Sequence, residues 1–308
     1  MKALLLVFLC AAGTTAVLGQ TNPATFRGGV DLVALNVVVL DRQQQFVGGL
    51  TAENFAIYED GVQQNLSFFA SADLPLDLAI LLDTSSSMQD KIATAQKAAV
   101  GFVSALRPVD RLLVIDIKDS SRVLTPLSHD LDAATRAILA TSAEGSTAIY
   151  NGLYLTLKEM TRQKQPGTAP RRQALVLLSD GDDTTSIVAY EDVMELARQA
   201  GISIYTITLR SSLFDSQIAR RNPQSSKSEY GMKALAQETG GRAFLAPEIN
   251  DLAGVYKTIG QELASQYALG YLPTNQRRDG AYRRVNVRIV DRANAQPRTR
   301  AGYLAPRG

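Results

Sequence analysis

The sequence predicts an α/β fold: a doubly wound, mostly parallel sheet covered by helices, with a smaller β-sandwich built from both chain ends. Three observations predict it. From Leu76 to Ser265, short apolar runs alternate with helix-period segments. Both flanks carry β-branched or alternating stretches without a convincing helix pattern. At the first strand-to-helix turn of the middle stands Asp83-Thr84-Ser85-Ser86-Ser87, five short oxygen-bearing residues at the edge where α/β sheets bind ligands.

Val30 to Leu40 (VDLVALNVVVL) has the β-branched density of a strand. Phe55 to Tyr58 and Gln64 to Phe69 flank Glu59-Asp60-Gly61-Val62, and the Asp-Gly pair signals a hairpin turn. Leu76 to Leu82 is a continuous apolar run, as a strand covered on both faces requires. A helix pattern over Met88 to Leu106 follows, carried by Ile92, Ala95, Ala99, Phe102, Val103 and Leu106 and stopped by Arg107-Pro108. Strands are expected at Arg111 to Ile117 and Arg122 to Leu127, and helices at Leu131 to Ala140 and Ala148 to Met160. Beyond a Pro166 to Arg172 linker lies the apolar run Ala174 to Leu178. A helix over Val188 to Ala200 ends at Gly201, a residue suited to close it. Strand Ile202 to Leu209, helix Tyr230 to Thr239, strand Arg242 to Leu245 and helix Leu252 to Ser265 complete the series. The end returns to strands at Tyr267 to Leu272, Tyr282 to Val290 and Arg298 to Tyr303. There Val285, Val287 and Ile289 alternate with Asn286 and Arg288, one face dry and one wet.

Composition narrows the function classes. The chain has 308 residues, 45% of them apolar, no Trp and a net charge of +2, too little charge to make nucleic acid the main partner. Residues 1–19 read as a cleaved secretory signal: Lys2, an apolar stretch Leu4 to Cys10, and a small-residue exit at Ala16-Val17-Leu18-Gly19. Gly13-Thr14-Thr15 cuts that run short of a transmembrane span, and bulky Leu9 argues against a lipid on Cys10. Cleavage removes the only cysteine, and the mature chain then has neither disulfide nor sulfur ligand. The expected location is therefore secreted or periplasmic. The expected layout is N-terminal strands in 30–72, an α/β domain in 75–266 and C-terminal strands in 267–305.

Two further loops supply what Asp83, Ser85 and Ser87 lack. Gly145-Ser146-Thr147 offers a hydroxyl before a helix, and Ser179-Asp180-Gly181 offers a carboxylate after a strand. In a doubly wound sheet these loops open on one edge. Such residues taken singly also cap helices; the three positions together make a site of hard oxygen donors, which suits Mg²⁺. Asp182 and Asp183 read as a solvated acidic loop, with an extension of the metal site as the alternative.

The pattern Asp83-x-Ser85-x-Ser87, then Thr147, then Asp180 closely resembles the metal-ion-dependent adhesion site of von Willebrand factor type A domains, with no substitution at the five motif positions; the resemblance covers about residues 75–266. The flanking phrases VGGLTAENFAIYEDGVQQNLSFF and SQYALGYLPTNQRRDGAYRRVNVRIV look like those of the exported bacterial VWFA-related (acidobacterial-type) subgroup. The resemblance implies that Mg²⁺, or Mn²⁺ or Ca²⁺, is held by these five residues, with Asp83 and Asp180 acting partly through water. It also implies a partner protein that presents an Asp or Glu carboxylate. Envelope components are candidate partners, and the alternative is an envelope assembly factor in which the ion only stabilises the loops.

Catalysis is not expected. The third motif residue is Ser85 rather than the second Asp of phosphohydrolases, and neither a G-x-S-x-G elbow nor a phosphate loop is present. His129, the only histidine, sits in a polar turn and reads as an exposed loop residue. Arg277, Arg278, Arg283, Arg284 and Arg288 read as a solvated strand face, with contact to an anionic envelope polymer or an acidic partner as the sharper alternative.

Overall fold

A computed structural model of the chain describes residues 32–71, 74–163, 169–180, 182–209 and 223–308. The expected secretory signal, the lead-in and Gly181 lie outside the described residues.

The order of the strands follows from which runs are apolar on both faces. Strands β1 (Val33–Leu40), β2 (Phe55–Glu59), β3 (Val62–Gln64) and β4 (Leu66–Ala70) come first. Then β5 (Leu76–Asp83), helix α1 (Ile92–Val103), β6 (Arg111–Ile117), β7 (Arg122–Ser128), α2 (Leu131–Leu139), α3 (Ile149–Arg162) and β8 (Arg172–Ser179) follow. Helix α4 (Tyr190–Ala200), β9 (Ser203–Leu209), α5 (Pro223–Glu238), β10 (Ala243–Ala246) and α6 (Leu252–Ala264) complete the middle. The chain closes with β11 (Tyr267–Tyr271), β12 (Tyr282–Ile289), β13 (Gln296–Arg298) and β14 (Gly302–Leu304).

The six-stranded sheet has the order β10-β9-β8-β5-β6-β7, parallel throughout except for β7 against β6. Strand β5 is buried along its whole length. Leu78, Ile80 and Leu82 enter the core shared with α1, α2 and α6, while Ala79 and Leu81 enter the core shared with α3, α4 and α5. That alternation between two apolar layers is why the run lacks polar residues between its ends. From β5 the chain winds outward through β6 and β7, then returns to β8 on the other side. The order therefore reverses between β5 and β8, and the crevice at their carboxyl ends is where such sheets bind ligands.

The ends of the chain form two four-stranded sheets, β13-β1-β11-β4 and β14-β12-β2-β3, each taking strands from both sides of the α/β segment. They enclose one apolar core, with Leu35 and Leu269 from the first sheet and Ile57 and Val287 from the second. The fold class read from the sequence is the fold observed.

Two expected strands are corrected. Gln64 to Phe69 is not one strand: β3 pairs with β2, then the chain bends at Asn65 and β4 pairs with β11 in the other sheet. Arg298 to Tyr303 likewise divides, Arg298 pairing with Val38 and Gly302 with Arg284. Both breaks are corners at which one chain passes between packed sheets.

The arginine reading is corrected at one position: Arg277, Arg278, Arg284 and Arg288 are exposed, as a solvated face requires, but Arg283 is not. Arg283 shares the inward face of β12 with Val285 and Val287, and only 2% of it is exposed. It donates to the carbonyls of Asn275 and Arg277 at 2.8 Å and pairs with Asp279 at 3.1 Å and Glu59 at 3.6 Å. Glu59 in turn accepts from the hydroxyls of Tyr271 and Tyr303 at 2.7 and 2.8 Å. This network satisfies a charge that the apolar core could not otherwise hold.

Candidate metal centre

The site forms because β5 ends on a carboxylate. Asp83 is fully buried, and its backbone is the last to join the parallel ladder with β6. Its carboxylate accepts a 2.9 Å hydrogen bond from the Ser85 amide and a 2.5 Å bond from the Ser179 hydroxyl. Burial pushes the Asp83 carboxyl above the ordinary range; the bonds from Ser179 and Ser85 oppose the rise, and the neighbouring Asp180 charge adds to it. Below it, Thr84 donates to buried Asp116.

From Asp83 the donors climb towards solvent. Ser85 is buried, Ser87 is exposed, and their hydroxyl oxygens are 3.0 Å apart. Ser87 donates to Asp180 at 2.7 Å, and the Lys91 ammonium pairs with the other Asp180 oxygen. Asp83, Ser85, Ser87 and Asp180 are thus joined in one cup across the β5–β8 switch point.

Thr147 arrives by backbone stitching rather than by a side-chain bond. The Ser86 amide donates to Gly145 at 3.0 Å, the Glu144 amide to Thr84 at 2.8 Å, and the Thr184 amide to Thr147 at 2.8 Å. Thr147 is buried beside the cup, and among the described residues its hydroxyl makes no hydrogen bond to the other four. Gly145 has φ +75, a conformation in which a side chain is strained, and a Cβ there would meet the Asp119 carboxylate. Asp119 also accepts from the Ser146 amide at 2.7 Å and so holds this loop from the end of β6.

Three residues missed by the sequence reading therefore shape the site: Ser179, Asp119 and Lys91. Asp119 was findable, since it follows β6 at the same sheet edge. Lys91 had no such signal, because it lies past the motif at the start of α1. Asp183 is corrected: it is no free acidic loop residue but accepts from the Tyr150 amide at 3.2 Å and the Ser186 hydroxyl at 2.6 Å, tying down the start of α3. His129 is exposed, as expected, with Nδ1 donating to the Asp110 carbonyl at 3.0 Å.

The donor chemistry fits a hard divalent cation. Among the described residues no three His, Cys, Asp or Glu side chains gather as a metal cluster. Here two carboxylates stand with three hydroxyls, all oxygen, as Mg²⁺ prefers. Asp83 has hydroxyl and amide partners, and no cation is bonded to it among the described residues.

A doubly wound sheet with a hydroxyl-and-carboxylate cup at its switch point defines a class of α/β ligand-binding domains. The chain belongs within it to the von Willebrand factor type A domain family, whose family model matches residues 77–258. An uncharacterized protein of Synechocystis sp. is 33% identical over 129 residues, 39% of this chain and 30% of its own length. A UPF0353 protein of Mycolicibacterium paratuberculosis is 26% identical over 205 residues, 62% of this chain and 61% of its own. The chain thus spans less than two thirds of the length of these curated relatives. Among solved structures, a von Willebrand factor type A protein from Catenulispora acidiphila aligns over 91% of this chain and 76% of its own, with 12% identity and a TM-score of 0.52. Proximal thread matrix protein 1 from the mussel byssus, solved with a zinc-occupied MIDAS motif, aligns over 63% of this chain and 50% of its own, with 14% identity and a TM-score of 0.51. These likenesses establish the shared fold. Among the described residues no helix is long and apolar enough to cross a membrane.

Proposed function

We propose that the protein is an exported, metal-dependent binding module of the MIDAS type, which captures an acidic group of a partner protein. The observation that carries this is the cup itself: Asp83, Ser85, Ser87 and Asp180 joined by hydrogen bonds at the switch point, with Thr147 on the adjoining loop. The fold supports an interaction module, and the zinc-occupied MIDAS motif of the byssus protein supports a cation in the corresponding role. Mg²⁺, Mn²⁺ or Ca²⁺ held there would supply positive charge for a partner's Asp or Glu carboxylate. Neutral hydroxyls among the donors leave that charge incompletely neutralised, so capture is electrostatic, and the surrounding loops set specificity.

In this reading residues 1–19 are a secretory signal and 75–266 the type A domain. Residues 30–72 and 267–305 supply the halves of a sandwich of the VWFA-related, acidobacterial kind. The module is not catalytic. The alternative, an ion that merely stabilises the loops of an assembly factor, is less favoured because backbone bonds already stitch the Thr84, Gly145 and Thr147 loops together.

Calorimetry with Mg²⁺ and Mn²⁺, followed by a metal-dependent pull-down from envelope extracts, tests the proposal. Saturable metal binding lost in Asp83→Ala, together with a partner retained only with metal, is the expected result. Metal affinity surviving in Asp83→Ala refutes the site. Metal that raises thermal stability without any metal-dependent partner favours the assembly reading.

A further inference from the structure

The described arginines that reach into the interior have acceptors, with one exception. Arg283 has Glu59, Asp279 and two carbonyls; Arg172 donates to the carbonyls of Leu74 and Leu263; Arg298 pairs with Glu262. Arg300 has none. Its Nε is sealed from solvent without a hydrogen bond, and no ion pair to it is found among the described residues. Burial holds its guanidinium below the ordinary arginine range, and the groups that offset this are the tyrosines Tyr271, Tyr303 and Tyr282. The Tyr303 ring lies 5.3 Å from it, and the left-handed cap of α4 at Gly201 lies alongside. A ring face and the partial negative end of a helix soften the charge but do not neutralise it.

Arg300 lines a cavity of about 430 Å³ between the end of α4, the 275–278 loop and the segment around β14. Arg277 and Arg278 line it too, with the amides of Gln199, Asn275 and Gln276, and among the described residues no Asp or Glu takes part. A half-buried guanidinium whose sealed Nε has no acceptor is costly, and a carboxylate is the planar partner that its fork matches. The volume falls in the range of small-molecule sites.

We infer that this cavity is a binding site for a small organic carboxylate of the size of a sugar acid, with Arg300 as its anchor. Arg277 adds charge at the rim, and the three amides face the ligand's hydroxyls. This places anion recognition in one of the five C-terminal arginines singled out above, Arg277, and it removes Arg283 from that role. The site lies on the sandwich side of the molecule and does not depend on the metal centre.

Titration of the full chain with glucuronate, followed by calorimetry and thermal melting, tests this. The expected result is saturable binding that neutral glucose does not show, at least tenfold tighter than inorganic phosphate. Arg300→Met abolishes it, Arg277→Ala weakens it several-fold with the fold intact, and Asp83→Ala leaves it unchanged. Because Arg300→Met removes an unpaired charge, the ligand-free variant melts no lower than the parent, whereas Arg283→Met melts lower. The inference is overturned by glucuronate binding no better than glucose or phosphate, or by equal binding to Arg300→Met. A melting loss in Arg300→Met like that of Arg283→Met also overturns it.

Discussion

Strand β5 carries a buried carboxylate at each end, and the two are treated in opposite ways. Asp77, at the start, is held by two guanidiniums, Arg111 at 2.6 Å and Arg171 at 2.6 Å. Asp83, at the end, receives one hydroxyl and one amide. Both residues are almost fully buried, 2% and 0% exposed, so solvent does not account for the difference. The amino edge of the sheet completes its charges internally, as a structural ion network does. At the carboxyl edge Asp83 is left with neutral donors, which is what a cation-binding residue requires. The comparison separates a stabilising pole from a functional one along a single strand.

The largest effects come from breaking either pole. Asp83→Ala abolishes Mg²⁺ and Mn²⁺ binding by calorimetry, while the metal-free protein keeps or gains thermal stability because a strained buried acid is gone. Asp77→Ala leaves metal binding in the folded protein unchanged and destabilises it by about 2–3 kcal/mol in chemical denaturation. That is below the ~3–5 kcal/mol of a fully buried pair, because both arginines are partly exposed. If Asp77→Ala removes metal binding while the protein stays folded, the two poles are not separate.

Asp110 extends the amino pole. Its carboxylate accepts from the amides of Leu76 and Arg107 and pairs with the Arg107 guanidinium at 3.0 Å. Burial alone would raise the carboxyl, but these bonds outweigh it and hold it below the ordinary range. Its contribution is therefore full above the unfolded value near ~4 and disappears as pH falls through the lower folded value. Asp110→Asn costs about 1–2 kcal/mol at neutral pH. The gap between the variant and the parent stays constant down to roughly pH 5 and closes only in stronger acid. A gap that instead widens with acid would mean that Asp110 is not held ionised by these partners.

How much of this was legible beforehand depends on whether a residue's role is local. The doubly wound sheet was readable because β5 and β8 are apolar on both faces, which few other structures require. The motif Asp83, Ser85, Ser87, Thr147 and Asp180 was readable because each member lies at a strand or helix boundary. The sheet-switching corners at Asn65 and Thr299–Ala301 were not, since a strand that leaves one sheet for another keeps its β-favouring residues. Arg283 was misread because Glu59, its ion-pair partner from the other end of the chain, is far away in sequence and is brought close only when the chain ends pair. Lys91 escaped for the same reason: its partner Asp180 arrives from another strand.

Lys91 qualifies the comparison, because it is the one cation bonded to the cup's carboxylates among the described residues. Its ammonium pairs with Asp180, where an incoming divalent ion would compete for the same oxygen. Lys91→Met removes that competitor. At about 1 kcal/mol for a partly exposed pair, it raises Mg²⁺ affinity roughly fivefold and costs the metal-free protein a similar amount. Calorimetry on parent and variant side by side measures both. Unchanged or weaker affinity would make Lys91 a support of the metal-binding arrangement rather than a stand-in for the ion.

Asp183 gives the smallest effect and the finest test of where the functional pole ends. It belongs to the carboxyl edge by position, yet its bonds to the Tyr150 amide and Ser186 hydroxyl are those of a helix-start clamp. A clamp at a helix start contributes about 1 kcal/mol, which corresponds to a melting shift of roughly 2–4 °C for a domain of this size. Asp183→Ala is expected to lose that much, Asp183→Asn to recover most of it through the amide oxygen, and both to bind Mg²⁺ as the parent does. If Asp183→Asn instead matches Asp183→Ala in metal affinity, with both well below the parent, the charge rather than the hydrogen bond is what the site uses. The functional pole then extends past Asp180 into the loop that leads to α4.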